Sequence, residues 1–332
     1  MKTLDIIVPH YKEPWETCVY LFNSIMMQRG IDFKDIRVLV VNDGKFEGCN
    51  LSKEDLEFTK MYPYHIDVFF KDHEGVSAAR NFGLDKSDAD YVMFCDIDDG
   101  FLSNYGLHLV FGAMQEGFDF LVSNFVEETM SDKGVMGITR HDTDITFMHG
   151  KAYRREFLVE NNLRFDPSLT IHEDGYFNML VYAVCHEKGK QKNIESPFYL
   201  WRWNDNSTVR SNREDFVLRT YEQLMDGRVA LCRELKRRGI EEAFNTSVGM
   251  TVLNSYYDFQ KTSYHVAKNE KHLRKATKAF KRFWDEFKDV FNDTENRKIA
   301  DMARACRENA YQNGMLFERE DIRTFLKNIE EA

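Results

Sequence analysis

The stretch "DYVMFCDIDDGF", residues 90–101, decides how the chain is read. Tyr91 to Cys95 form an apolar run of the length of a buried strand. Asp96, Asp98 and Asp99 follow within four positions. Carboxylates that close repel one another, and more strongly where a neighbouring core lowers the dielectric. A hard divalent cation, Mg2+ or Mn2+, held through oxygen would offset the repulsion. A solvated acidic turn that caps the next helix would also account for it. Two or three carboxylates do not close a coordination shell, so a bound ion would keep positions for water and phosphate oxygens.

Three more apolar runs precede this one: "LDIIVPH", "IRVLVVNDG" and "HIDVFFK". Between them lie helical patterns, over residues 14–29 and in "VSAARNFGLDKS". Continuous apolar strands with helical crossovers predict an α/β fold with a mostly parallel sheet covered on both faces. Ligands bind such sheets beyond the carboxyl ends of the strands. Each run ends there in polar groups: His10 and Tyr11, Asn42 and Asp43, Lys71 and Asp72, and the aspartate cluster. Residues 103–212 are mixed, with strands expected in "FDFLVSNFVEE" and "PFYLWRW" and helices in "GKAYRREFLVENN" and "EDGYFNMLVYAVCHE". Past about residue 213 helical periodicity takes over, with helices expected near 213–238, 240–262, 268–290, 295–313 and 318–331. The expected organisation is a nucleotide-binding catalytic domain over 1–212 and a helical domain over 213–332.

The bulk numbers narrow the class. A chain of 332 residues with 43% apolar content builds a real core. No apolar run approaches the roughly 20 residues of a membrane span, and "MKTLDIIVPHY" is too short and too polar for a signal peptide. The six cysteines carry no CxxC spacing, which fits reduced thiols and a cytoplasmic protein. A net charge of −10 argues against coating a polyanion over the whole surface and leaves room for a local basic patch.

Four further motifs bear on chemistry. Asp43 in "VVNDG" is a turn former or an acceptor for a base or ribose hydrogen bond. Arg80 and Asn81 project from the first turns of a helix that Gly75 and Ser77 introduce, where an Arg can hold a phosphate or pair with an acid. Glu173 and Asp174 open a helix in "LTIHEDGYFNML", as caps or as a general base. "YLWRWNDNSTVRSN" offers Arg202, Ser207, Thr208 and Arg210 in a polar segment that connects the two halves or closes over a diphosphate.

Taken together, "IIVPHYKE", "VLVVNDG", "GVSAARNFGL", "YVMFCDIDD" and "HEDGYF" resemble, in order and spacing, the family 2 glycosyltransferases of the GT-A fold. The resemblance covers roughly residues 3–210 and is nearest to the soluble bacterial and phage type and to wall-teichoic-acid glycosyltransferases. It implies that Pro9, Tyr11 and Asp43 line the base pocket and that Arg80 touches the base or diphosphate. It implies that Asp96 meets ribose and metal, that Asp98 ligates the metal with Asp99 beside it, and that Arg202 and Ser207 cover the diphosphate. Asp174 would be the catalytic base, with Glu173 orienting sugar or acceptor. It implies Mn2+ or Mg2+ as cofactor and a nucleotide-sugar donor, typically a UDP-sugar. The processive members' "QxxRW" motif and membrane helices are not found, which points to transfer of single sugars by a soluble enzyme. The expected mechanism is inverting, and the expected location is the cytoplasm of a bacterium or of a phage-infected host.

The acceptor is open: a glycan, a teichoic acid or hydroxymethylated DNA. Lys268, Lys271, Lys275, Lys278 and Arg282 share one helix face, which reads either as a solvated surface or as a strip for a polyanion. Two other classes compete, a nucleotidyltransferase and an inactive nucleotide-sugar-binding module. The first lacks its Gly-rich basic phosphate loop, and the intact carboxylate set speaks against the second. Oligomeric state is not legible.

Overall fold

Strand pairing organises the first part of the chain. In a computed structural model that describes residues 2–45, 52–131, 133–205, 207, 216–293 and 320–332, the elements run β1 (Leu4–His10), α1 (Cys18–Met26), β2 (Ile36–Asn42), α2 (Lys53–Phe58), β3 (His65–Phe70), α3 (Val76–Lys86) and β4 (Tyr91–Phe94). They continue with β5 (Gly100–Phe101), α4 (Gly106–Glu116), β6 (Phe120–Met130), β7 (Met136–His141), β8 (Lys151–Arg154), α5 (Arg155–Glu160), α6 (Glu173–Lys188) and β9 (Gln191–Trp201). One sheet has the order β3-β2-β1-β4-β8-β6-β9-β5, with β7 on β6. The first four strands are parallel, β8 is antiparallel to β4 and β6, and β9 is parallel to β6.

Alternation along each strand sorts the core. Leu4, Ile6 and Val8 of β1, with Val38 and Val40 of β2, pack with Leu21, Phe22 and Ile25 of α1 and Val110 and Met114 of α4. On the other face α3 lies against β1 and β2, and Phe94 meets Phe165 and Phe177. Gly83 makes the α3 approach possible: a Cβ there would stand 2.4 Å from Cγ2 of Ile7 and 3.3 Å from Cγ2 of Val41.

Register aligns the strand ends. His10 pairs with Asn42, Asn42 with Phe70, and Ile7 with Phe94. Tyr11, Asp43, Lys71 and the turn after β4 therefore share one edge, as the sequence predicts. Two expectations are corrected. The strand-like run Tyr91 to Cys95 ends one residue early: β4 stops at Phe94, and Asp96–Asp99 turns, with the Asp99 N–H donating to the Asp96 carbonyl at 3.2 Å. "GKAYRREFLVENN" is not one helix. Lys151 to Arg154 form β8, inserted between β4 and β6, and only Arg155–Glu160 is helical. Lys151, Ala152 and Tyr153 are all fully buried, so the segment lacks the alternation that marks a half-buried strand.

The chain divides into two compact units, residues 1–205 and 206–332. The second contains α7 (Phe216–Arg219), α8 (Tyr221–Arg238), α9 (Glu241–Gln260), α10 (Glu270–Asp293) and α11 (Ile322–Glu331). Ala276, Phe280, Phe283 and Phe287 of α10 are buried at three- and four-residue steps, and α10 packs on α8, α9 and α11. The helix expected over 295–313 lies outside the described residues. No helix among the described residues is long and apolar enough to cross a membrane.

The close approach of α3 gives a direct test. Gly83→Ala forces helix and sheet apart and is expected to cost about 1–3 kcal/mol, read as a lower urea midpoint; an unchanged midpoint would contradict the packing.

Candidate active site

The parallel strand ends hold two clusters. The first surrounds Asp43, which is 2% exposed. Its carboxylate accepts hydrogen bonds from Lys71 Nζ at 2.8 Å and His73 Nδ1 at 2.7 Å, and from the N–H groups of Glu74 at 3.0 Å and Gly75 at 2.7 Å. Burial pushes this carboxyl up, but the hydrogen bonds from Lys71, the two amides and His73 outweigh it and hold it below its ordinary value. Asp43 thus ties the end of β2 to the entry of α3. Tyr11 stacks on His73 with ring centres 4.0 Å apart, and Pro9 is half-buried at the end of β1. The three residues expected at a base pocket therefore share one corner, with Lys71 and His73 added by the fold.

The second cluster is built on Arg80, which is 3% exposed. Its guanidinium donates to Asp96 Oδ1 at 2.9 Å and to Glu173 Oε1 at 2.6 Å, and it lies over the Phe165 ring. Its Nε, also buried, has no hydrogen-bond partner. Burial disfavours the charged form, yet Asp96 and Glu173 raise the affinity for the proton further. Arg80, expected to touch base or diphosphate, joins the acid after β4 to the acid that opens α6.

Asp174 stands next to Glu173 in the first turn of α6. The preceding His172 adopts a left-handed conformation with φ of 62°, an uncommon backbone for a non-glycine residue that concentrates at functional sites. Asp174 Oδ1 accepts the Gly175 N–H at 2.7 Å. Burial, then the Glu173 charge, pushes the Asp174 carboxyl up to about 7, with Arg80 working in the opposite direction. A carboxylate with that proton affinity is matched to general-base work near neutral pH.

The remaining acids are held differently. Asp99 is fully buried, with Oδ2 accepting from the Tyr199 hydroxyl at 2.8 Å and Oδ1 from the Arg202 N–H at 3.0 Å. Burial and the charges of Asp98 and Asp96 push its carboxyl well up. Asp98 is half-buried, and its Oδ2 accepts from Asn204 Nδ2 at 2.8 Å. The Arg202 guanidinium lies 3.8 Å over the Tyr20 ring and donates to the Asp98 carbonyl at 3.2 Å. Ser207 is half-buried and belongs to the second unit.

Two residues were not singled out in the sequence. His149 is 4% exposed, and burial pushes its imidazole down to about 3, so it is neutral. The donor atoms of Asp96, Asp99 and His149 all lie within 4.8 Å of one another, while Asp98 is outside that group. Lys151 is fully buried, 3.7 Å from Asp144, and burial pushes it down to about 8 against the pull of Asp144 and Asp174. Both come from the misread segment around β8.

Comparison with known proteins bears on the family and the fold. The sequence pattern of the family described as glycosyl transferase family 2 matches residues 5–175. The uncharacterized glycosyltransferase EpsJ of Bacillus subtilis is 28% identical over 61% of this chain and 62% of its own length. The minor teichoic acid biosynthesis protein GgaB of the same organism is 31% identical over 64% of this chain and 25% of its own. The chain thus spans less than two thirds of the length of either. A GalNAc(5)-diNAcBac-PP-undecaprenol beta-1,3-glucosyltransferase of Campylobacter jejuni is 25% identical over 83% of this chain and 87% of its own. Among solved structures, S. aureus TarS in complex with UDP-GlcNAc has a TM-score of 0.60 at 17% identity, over 95% of this chain and 93% of that one. The Pyrobaculum calidifontis mannosyltransferase PcManGT, in complex with GDP-Man and Mn2+, has a TM-score of 0.52 at 14% identity, over 99% of this chain and 84% of that one. The likeness to these structures bears out the expected GT-A fold. With the family's pattern lying across the strand ends and the acids they carry, the chain belongs to glycosyl transferase family 2.

Proposed function

We propose that this protein transfers a single sugar from a nucleotide-sugar, with inversion, to a hydroxyl of a cell-surface glycan or teichoic acid, and that Asp174 is the general base. The observation that carries the reading is Asp174 itself, in the first turn of α6, its carboxyl pushed up to about 7 beside the Arg80–Glu173 pair. In the reaction Asp174 takes the proton of the acceptor hydroxyl. The acceptor oxygen bonds to the anomeric carbon as the bond to the diphosphate breaks, and the diphosphate leaves with the electron pair. Attack from the face opposite the leaving group inverts the configuration.

The other residues divide into two tasks. Tyr11, Pro9 and Asp43 are assigned to the base and ribose, at the corner that Lys71 and His73 complete. Arg202, over Tyr20 and beside Asp98, is assigned to the diphosphate together with Ser207. UDP is the proposed nucleotide, as in the TarS complex. A divalent cation fits the acids after β4: they sit close together, and His149 beside them has a buried, unpartnered nitrogen. When bound, the cation would stabilise charge on the leaving diphosphate. Residues 1–212 carry the chemistry in this reading, and the helical part is left to the acceptor. The reaction is placed in the cytoplasm.

A glycan or teichoic acid is favoured over DNA as acceptor for two reasons. GgaB is named for minor teichoic acid biosynthesis, and the C. jejuni enzyme is named as a glucosyltransferase for GalNAc(5)-diNAcBac-PP-undecaprenol. The basic face of α10 is partly engaged at home: Lys275 pairs with Glu222 at 3.1 Å and Arg282 with Asp226 at 3.4 Å, both acids on α8.

The base assignment has three expected outcomes. With a nucleotide-sugar selected by a thermal-shift screen, Asp174→Asn should lower turnover by roughly 100-fold or more and leave donor affinity unchanged; near-normal turnover would refute it. The base must be unprotonated to work, so kcat/KM should fall as pH drops below about 7 and level off above it. Stability should move the other way. The folded carboxyl binds its proton more tightly than its ordinary value of 3.8, so ionisation costs stability as pH rises from there to about 7. Asp174→Asn should therefore melt higher than wild type by roughly 2 °C or more at pH 8 and equally at pH 4, measured by calorimetry.

A further inference from the structure

Strand β8 carries a buried charge. Lys151 opens the strand at its site end, since β8 runs antiparallel to β4, and it is fully buried. An ammonium at that depth is costly unless it is closely paired. Its contacts are long, 3.7 Å to Asp144 Oδ1 and 3.3 Å to the His149 carbonyl. Asp144 is only partly a counter-ion, because the same Oδ1 accepts the N–H groups of Thr146 and Phe147, each at 2.8 Å. An apolar side chain of similar length would fill the space at less cost.

The pairing of β8 with α6 shows what else the charge faces. Residues two apart in a strand share a face, so Lys151 and Tyr153 point to one side of the sheet. Ala152 points to the other, into the core under α1 and α4. The Tyr153 hydroxyl donates to Asn178 Oδ1 at 2.5 Å, and its ring meets Phe177 at 5.5 Å, so α6 covers this face of β8. Asn178 lies four residues after Asp174, on the same side of α6. Its amide donates to the carbonyls of Thr146 and Phe147, each at 2.9 Å, which fixes the helix against the segment that Asp144 caps. A two-residue strand step of about 6.6 Å matches a four-residue helix step of about 6 Å. Lys151 therefore stands toward Asp174 as Tyr153 stands toward Asn178, at the site end of the same contact.

We infer that Lys151 is a positioning residue of the proposed transfer: its ammonium faces Asp174 across the contact between β8 and α6 and favours the ionised, proton-accepting form of that carboxylate. The inference rests on the functional reading above. Lys151 acts through space, without a direct ion pair. The other groups around Asp174 come from three elements. Glu173 beside it on α6 and Asp96 after β4 work against its ionised form, and Arg80 on α3 works for it. Arg80 is shared, since it also donates to Asp96 and Glu173. On β8, Tyr153 is held in its neutral form by burial and spends its hydroxyl on Asn178. Lys151 adds a second positive charge, and the attraction is mutual: burial works against the ammonium, while Asp144 and then Asp174 work for it. A base that must be ionised before each turnover thus has a cation on β8 as well as the one on α3.

The test is the pH dependence of kcat/KM, with a carbon-13 titration of Asp174, in the full chain. In wild type the acid limb and the carboxyl midpoint are both expected near 7. Lys151→Met, which fills the space without the charge, should move both up by about one pH unit or more. At pH 6, kcat/KM should then fall roughly tenfold below wild type, with donor affinity unchanged. A limb and a midpoint that stay where wild type has them overturn the inference and leave Asp174 standing as the base, whatever happens to stability. If Lys151→Met does not fold, Lys151→Gln, which keeps a polar end for Asp144 and the His149 carbonyl, carries the same expectation. If neither folds, Lys151 serves the fold rather than the base, and the inference is overturned. A wild-type Asp174 that titrates in the ordinary carboxylate range overturns the functional reading itself, and this inference with it.

Discussion

The site depends on one buried guanidinium. Arg80 comes from α3, Asp96 from the turn after β4, and Glu173 from the start of α6. Arg80, itself 3% exposed, brings the buried Glu173 and the partly exposed Asp96 together. The buried acid would not hold its charge without it. Breaking a buried ion pair by removing one partner typically costs about 3–5 kcal/mol, because the charge left behind is uncompensated. The pairing also sets the neighbour. With Glu173 engaged by Arg80, Asp174 has no ion pair among the described residues, and burial beside a negative charge raises its proton affinity. A structural ion pair and a tuned base are therefore two results of one placement.

The same logic separates the acids after β4. Three aspartates within four positions meet three environments: Asp96 against Arg80, Asp98 against Asn204, Asp99 against Tyr199 and the Arg202 amide. Strand β9 supplies the Tyr199 partner and is brought in by pairing with β5, Phe101 opposite Tyr199. The short β5 fixes where the aspartate turn ends, and with it which carboxylate points inward. Like charges are sorted by the hydrogen-bond donors that surround them rather than by sequence position.

What was legible in the sequence follows from periodicity. The four parallel strands are apolar runs broken by polar residues, and their shared edge could be read because each run ends in groups that need a partner. Glu173 and Asp174 were legible because acids in a first helical turn stand out. Other features depend on tertiary placement. That Arg80 could pair with an acid was legible, but not which acids, since they come from other elements, Glu173 93 positions away. Lys151 was missed because "GKAYRREFLVENN" reads as a helix, while the fold buries Lys151 to Tyr153 in an inserted strand; His149 stands just ahead of that segment. The pairing of Lys275 and Arg282 with α8 acids was equally hidden, because helical spacing shows which face a charge is on and not what faces it.

The central claim is that Asp174 holds its proton near neutrality inside a site assembled by Arg80. A carbon-13 titration of the aspartate carboxyls tests this directly and requires neither donor nor acceptor. The account predicts an aspartate resonance that titrates near pH 7 and is absent from Asp174→Asn. If the resonance removed by that substitution titrates in the ordinary carboxylate range, near its usual 3.8, the account of the base is wrong.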